Sequence, residues 1–192
     1  MTGNPSDPAA LARHLTSPVE NSAQSDRAAP LYGADFCREF DIRIARDGTW
    51  FYHGSPITRK PLVKLFASVL RRDEHGEYWL QTPAEKGRIH VDDVPFTAVE
   101  VSSSGSGREQ NLTFRTNLDE FVTAGPQHHI RVIEDRSTGT PRPYVNIRDR
   151  LDALIARPVF YDLVELAEEA RGPPPQLGVW SGGMFFTLGR LA

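Results

Sequence analysis

Two segments of this chain follow the same course: a proline opens an apolar helical stripe, and the stripe gives way to a strand that bears a tryptophan. The first reads PLVKLFASVLRRDEHGEYWL, from Pro61 to Leu80, and the second PVFYDLVELAEEARGPPPQLGVWS, from Pro158 to Ser181. Each is preceded by an Ile-x-Arg element, Ile57 to Arg59 and Ile155 to Arg157, and the difference in length falls in the loop before the tryptophan. Proline suits the first helical turn, where the N–H it lacks has no intrahelical partner. A repeat of this kind implies two similar halves, and the pseudo-symmetric seam between them is where a ligand is expected.

The surrounding pattern is α+β. Residues 1–30 are rich in Pro, Ala, Ser and Asn and read as a mobile tail, with one docked helical turn over Leu11, Leu15 and Val19. Order is expected from Leu31 to Phe40 onward. Asp41 to Ala45 alternates, Asp47-Gly48 signals a two-residue hairpin, Thr49 to His53 favours a strand, and Gly54 to Pro56 is a turn. Leu62, Leu65, Phe66, Val69 and Leu70 form the buried stripe of the first helix. Strands are predicted over 77–82, 88–91, 96–102 and 112–116, with SSSGSGREQN as a flexible loop.

In the second half, strands over 128–134 and 144–147 precede a short helix over 148–156. The second long helix has Val159, Leu163, Val164, Leu166 and Ala167 on its apolar side, and Arg171 to Pro175 end it. Leu177 to Trp180 and Met184 to Leu188 close the chain as a hairpin. The predicted organisation is a tail over 1–30, a first half over 31–122 and a second over 123–192. The predicted fold class is α+β, two similar halves of antiparallel strands, each packed by a helix. No strict β-α-β-α alternation, G-x-G-x-x-G or Walker loop points to a nucleotide-binding parallel sheet.

A net charge of −3 gives no basic field for nucleic acid, and no apolar run nears the roughly 18–20 residues that span a bilayer. The N-terminus lacks the apolar core of a secretory signal, so a cytoplasmic protein is expected. The single Cys37 excludes an intramolecular disulfide and a Cys-rich zinc module. No metal-ligand spacing and no nucleophile–base–orienter set is present, so neither a cofactor nor a catalytic residue is expected.

The candidate ligand-binding residues are cations and aromatics. Lys86 and Arg88 flank Gly87 between two strands and could clamp an anion with close backbone approach; they equally fit an exposed charged hairpin edge. Arg115 lies on a strand opposite in facing to Phe114, with Asn117 following it. His128 and His129 point to opposite faces, and His129 shares its face with Arg131, a pair that could receive an anionic group. Tyr144 is placed to stack on a base. His53, at a strand end before Gly54, is open to structural and functional readings alike. Adjacent acids such as Asp92-Asp93 do not converge on one bond, and Trp50, Trp79 and Trp180 read as core anchors.

The segments DIRIARDGTWFYHGSPITRKPLVKLFASVL, LTFRTN, HHIRV, PRPYVNIRDRLDALIARPVFYDLVELA and LGVWSGGMFFTLG together resemble a bacterial family, domain of unknown function family 1285, over about residues 35–190. The resemblance implies a duplicated α+β arrangement whose second half is superficially like the pleckstrin-homology fold. It also implies a nucleotide-like ligand in the cleft between the halves and a role in signal transduction, and it carries no catalytic residue over. The expected function is therefore a cytoplasmic protein that binds a nucleotide-like or phosphorylated small molecule, with a protein-interaction adaptor as the alternative. The expected partners are that ligand and a protein, not nucleic acid or a membrane.

Overall fold

The computed structural model describes residues 7–16, 38–83, 85–135, 138–170 and 174–190. Within the expected tail a nine-residue helix forms, α1 (Pro8–Thr16), longer than the single turn predicted. Asp7 starts it by accepting the Ala9 amide at 2.9 Å, and the helix lies against α2 (Lys60–Ser68). The rest of the expected tail, the predicted onset of order from Leu31, and Cys37 lie outside the described residues.

The chain divides into two compact units, residues 1–93 and 94–192. The expected boundary at 122 and 123 falls inside a sheet instead. β7 (Phe96–Ser104) ladders with both β8 (Asn111–Thr116) and β12 (Leu151–Ile155), so the strands on either side of residue 122 belong to one structure.

In the N-terminal unit, β1 (Arg38–Ile44), β2 (Trp50–Tyr52) and β3 (Ser55–Pro56) form one meander; β4 (Leu70–Arg72), β5 (Tyr78–Gln81) and β6 (Lys86–Val91) form another. The sheet order is β3-β2-β1-β6-β5-β4, with β1 and β6 parallel at its centre. β3 and β4 are opposite edges, and α2 carries the chain from one to the other. The C-terminal unit repeats this topology with β7, β8 and β9 (Phe121–Thr123), then β10 (Ile130–Glu134), β11 (Pro141–Arg148) and β12. Its order is β10-β11-β12-β7-β8-β9, and the first and last strands again pair in parallel. A helix α3 (Arg157–Glu165) and a three-stranded antiparallel sheet of β13 (Glu168–Ala170), β14 (Gln176–Ser181) and β15 (Met184–Arg190) follow.

The fold is thus α+β and mostly strand, as the sequence predicts, with one parallel pair in each six-stranded sheet where only antiparallel pairing was expected. The repeated Pro-helix is real, and in both copies it leads into an antiparallel meander whose second strand bears the tryptophan, Trp79 on β5 and Trp180 on β14. The first meander joins the six-stranded sheet; the second forms the separate small sheet.

The second sheet must curl. Five strand spacings of about 4.8 Å would separate β9 from β10 by about 24 Å in a flat sheet. Only residues 124–129 connect them, and within those Gly125 and His128 exchange backbone hydrogen bonds in a tight turn. A hydroxyl bridge ties the β14–β15 hairpin to the β8–β9 side of the sheet: Leu112 N–H donates to Ser181 Oγ at 2.9 Å, and Ser181 Oγ–H donates to the Ala124 carbonyl at 2.7 Å.

Several local expectations change. Asp47-Gly48 closes a three-residue loop rather than a two-residue turn: Ala45 N–H reaches the Thr49 carbonyl, and Gly48 takes φ 83°. The two-residue turn is His53-Gly54, with φ of 46° and 73°, between Tyr52 and Ser55. α2 stops at Ser68, so Val69 caps it and Leu70 begins β4; Leu62, Val63, Phe66 and Ala67 form its buried face. Residues 102–104 belong to β7 rather than to a flexible loop, paired with β8 and followed by a 3-10 turn over Gly107–Glu109. The predicted helix over 148–156 is a turn at Asp149 followed by strand β12, whose Leu151, Ala153 and Ile155 are buried. α3 ends at Glu165, before the Arg-Gly-Pro-Pro-Pro segment, because β13 intervenes, and its Val164 faces outward at 38% exposure.

Each unit has its own core. Ile42, Ile44, Trp50, Phe66, Leu70 and Leu80 fill the first, where Trp50 and Phe66 stack with centroids 6.3 Å apart. Phe96, Leu112, Phe114, Ile147, Leu151 and Leu163 fill the second. Each such side chain contributes about 1.5–3 kcal/mol on burial.

Asp73 fixes the β4–β5 loop. Its Oδ1 accepts the His75 and Glu77 amides, each at 2.9 Å, and its Oδ2 accepts the Trp79 indole N–H at 2.8 Å. The Trp79 bond above all holds the Asp73 carboxyl below its ordinary range, and Arg43 does the same for Asp92. The folded unit therefore binds fewer protons than the unfolded chain, so stability present above about pH 3.9 is lost as acidification protonates these carboxylates. Asp73→Asn, which removes one titration, is expected to show a smaller fall in urea midpoint between pH 6 and pH 3 than the wild type. Tryptophan emission measures it, and equal falls would count against the role of Asp73.

Candidate functional site

The seven sequence candidates stand in both units, Lys86 and Arg88 in the N-terminal one and Arg115, Asn117, His129, Arg131 and Tyr144 in the C-terminal one. Five of the cations and polar groups among them, Lys86, Arg88, Arg115, Asn117 and Arg131, are engaged by neighbours. On β6, Lys86 Nζ sits 4.2 Å from the centroid of the Trp79 ring, and Arg88 Nη1 lies 3.1 Å from Glu77 Oε1. Gly87 does not admit a ligand: a Cβ there would lie 2.2 Å from the Phe40 ring. The glycine serves packing between β1 and β6.

In the C-terminal unit, Arg115 donates from Nε to Glu100 at 2.7 Å and from Nη1 to Asp119 at 3.2 Å, which raises its pKa further. Asn117 exchanges hydrogen bonds with the Thr97 backbone, accepting at Oδ1 and donating from its own amide. Arg131 donates to Asp152 at 2.6 Å and also covers Tyr144, its guanidinium 4.8 Å from the ring centroid. Arg142 lies 5.8 Å from the same ring, and Tyr144 is only 4% exposed, so it has no open face for a base. His129 turns its ring edge toward Phe186, centroids 6.3 Å apart, rather than joining Arg131. Among the described residues no group of three or more metal-ligating side chains is placed to hold an ion, and no helix is long and apolar enough to cross a membrane.

A cleft of about 500 Å³ in the N-terminal unit is the better candidate. It lies beside α1, with Leu11 on one wall and Arg38, Asp41, Tyr52, His53 and Glu85 on the others. The sequence builds it simply. Alternation on β1 buries Phe40 and Ile42 and turns Asp41 outward. The His53-Gly54 turn then folds β3 back on β2 and leaves His53 in the left-handed region, which histidine tolerates better than most residues.

His53 Nδ1 lies 2.8 Å from Asp41 Oδ2, and its ring stands 4.3 Å from that of Tyr52. Arg38 Nη1 donates to Glu85 Oε1 at 2.8 Å at the rim. Burial first, then Asp41 and Asp7, raise the pKa of the Tyr52 phenol. The cleft thus combines two ring faces, carboxylate acceptors and one guanidinium. Its histidine and orienting carboxylate are half of an acid–base set, and among the described residues no serine, threonine or cysteine lines it. Sequence reasoning left His53 open because Asp41 is twelve residues away. The His-Gly turn dipeptide after an alternating strand was the available signal.

Comparison with curated proteins finds no match. Residues 30–94 match the family model described as domain of unknown function (DUF1285), N-terminal domain, and residues 95–188 match protein of unknown function (DUF1285), C-terminal domain. These bounds agree with the division of the structure after Asp93. Among solved structures, a DUF1285 family protein from Silicibacter pomeroyi DSS-3 is 43% identical, with a TM-score of 0.81 over 98% of this chain and 97% of that one. A second, from Shewanella baltica OS155, is 25% identical, with a TM-score of 0.52 over 66% of this chain and 91% of that one. Matched along nearly its whole length by both family domains and by a solved bacterial member, the chain belongs to the DUF1285 family.

Proposed function

We propose that the protein binds a small nucleotide-like molecule in the cleft of its N-terminal unit, and that this binding serves signal transduction. The observation that carries the reading is the convergence of Tyr52, His53 and Asp41 on one 500 Å³ cleft with Arg38 at its rim. A planar base would lie against the Tyr52 and His53 rings. Its amino groups would donate to Asp41 or Glu85, and Arg38 would meet a phosphate. A pocket of this size accommodates a ligand of that class.

Thermal-shift titration of the full chain with a panel of purine and pyrimidine nucleosides, mononucleotides and cyclic nucleotides tests it. A ligand at 100 times Kd stabilises by about 2.7 kcal/mol, which is several degrees in melting temperature. Tyr52→Ala and His53→Ala are each expected to weaken binding tenfold or more, whereas Arg38→Ala weakens mononucleotides but not nucleosides. A panel that never moves the transition, or binding indifferent to Tyr52 and His53, would overturn the reading.

A further inference from the structure

The carboxylates of the N-terminal cleft are not equivalent. Three line it, and two of these meet guanidiniums: Glu85 meets Arg38 at 2.8 Å, and Glu39 meets Arg88 at 3.7 Å. Among the described residues the only side chain bonded to the Asp41 carboxylate is His53, at 2.8 Å. A carboxylate only accepts, so the His53 nitrogen that faces it is the donor. That bond takes one lone pair of Oδ2; the other lone pair and the whole of Oδ1 stay open. After burial, the Asp41 charge is the next cause of the raised Tyr52 pKa, so the carboxylate stands beside both rings of the cleft.

Two open acceptor positions on one carboxylate are matched by two adjacent donors. Guanine carries such a pair on its Watson–Crick edge, N1–H beside the N2 amino group. Adenine and cytosine set a ring acceptor beside their amino group, and uracil sets its single N–H between two carbonyls. Each of those three edges turns a lone pair toward a group that cannot donate, which repels as well as leaving a bond unmade.

We propose that the cleft selects a guanine base, with Asp41 accepting from N1–H and from the N2 amino group while the base lies against Tyr52 and His53. The inference rests on the nucleotide reading above and deepens it. In this arrangement Arg38, held by Glu85, is left for the phosphate. The exposure of Asp41 sets how strict the selection is. Its side chain is 67% exposed, so water competes for both oxygens. An enclosed site built to bond a donor rejects analogues lacking it by about 10⁴-fold or more, whereas a solvated carboxylate gives roughly tenfold per bond.

Isothermal titration of the full chain with the 5′-monophosphates of guanosine, inosine and adenosine tests the assignment. The phosphate is common to all three, so differences in Kd report the base. The guanosine nucleotide is expected to bind about tenfold tighter than the inosine nucleotide, which lacks the 2-amino group, and roughly a hundredfold tighter than the adenosine nucleotide. Asp41→Asn places a donor beside an acceptor, the complement of an adenine edge, and is expected to bring the adenosine nucleotide level with the guanosine one. The wild-type series stands whether or not that variant folds. Equal wild-type affinity for the guanosine and adenosine nucleotides, or a preference unchanged in a folded Asp41→Asn variant, would overturn the guanine assignment and leave the nucleotide reading in place. Failure of every nucleotide to bind would overturn both.

Discussion

Gly87→Ala is expected to destabilise the N-terminal unit by about 3 kcal/mol, at the upper end of overpacking penalties. The added methyl carbon would sit 2.2, 2.3 and 2.5 Å from three carbons of the Phe40 ring, well inside contact distance. The ring has little freedom to yield. It is 8% exposed, and it projects from the stretch of β1 where the pairing with β6 shifts register between Glu39 and Arg43. Urea denaturation followed by tryptophan emission would show a lower midpoint at unchanged slope. The cause can be isolated by pairing the substitution with Phe40→Leu. The double variant should be more stable than the sum of the two single losses predicts, because the smaller side chain leaves space for the methyl. A loss below 1 kcal/mol, or strict additivity, would mean that the ring moves aside and that the glycine answers to something other than packing.

The same position shows where sequence reading succeeds and where it stops. Period and turn chemistry are local, so β1, α2, the β14–β15 hairpin and the repeated helix–meander unit were legible from alternation, from Pro61 and Pro158, and from the Ser-Gly-Gly turn. What Gly87 meets is Phe40, forty-seven residues earlier in the chain, and no local pattern reports it. The charge partners were hidden in the same way. Arg43 finds Asp92 and Arg115 finds Glu100 only after their strands are laid side by side, and Arg131 finds Asp152 across the intervening β11. Cations that looked available on predicted strands are therefore held by carboxylates, and the cleft formed around a histidine whose partner lies on another strand. The strand β12 was misread for a related reason. Leu151, Ala153 and Ile155 sit in a stretch too short for period alone to separate helix from strand, and the pairing with β7 decides it.

Ser181→Ala is expected to destabilise the C-terminal unit by roughly 2–4 kcal/mol, although it removes a single oxygen. The hydroxyl is fully buried and is the sole link in a chain from the Leu112 amide to the Ala124 carbonyl. Its loss leaves a buried donor and a buried acceptor unpaired, and the amide suffers more because a carbonyl has a second lone pair through which to find a partner. The Gln110 side chain, which donates to the Trp180 carbonyl at 3.1 Å, and the Gly182 amide, which donates to the Gln110 carbonyl at 3.1 Å, hold the same hairpin through other groups. Amide exchange gives a local readout beside the urea midpoint: protection at Leu112 should fall by more than the global loss accounts for. Ser102→Ala, at an exposed hydroxyl with a 3.4 Å bond, serves as the control and should stay within about 0.5 kcal/mol of the wild type. Equal stabilities for the two variants would show that water replaces the Ser181 oxygen. The seating of the β14–β15 hairpin against β8 would then depend on its apolar contacts and not on its hydroxyl.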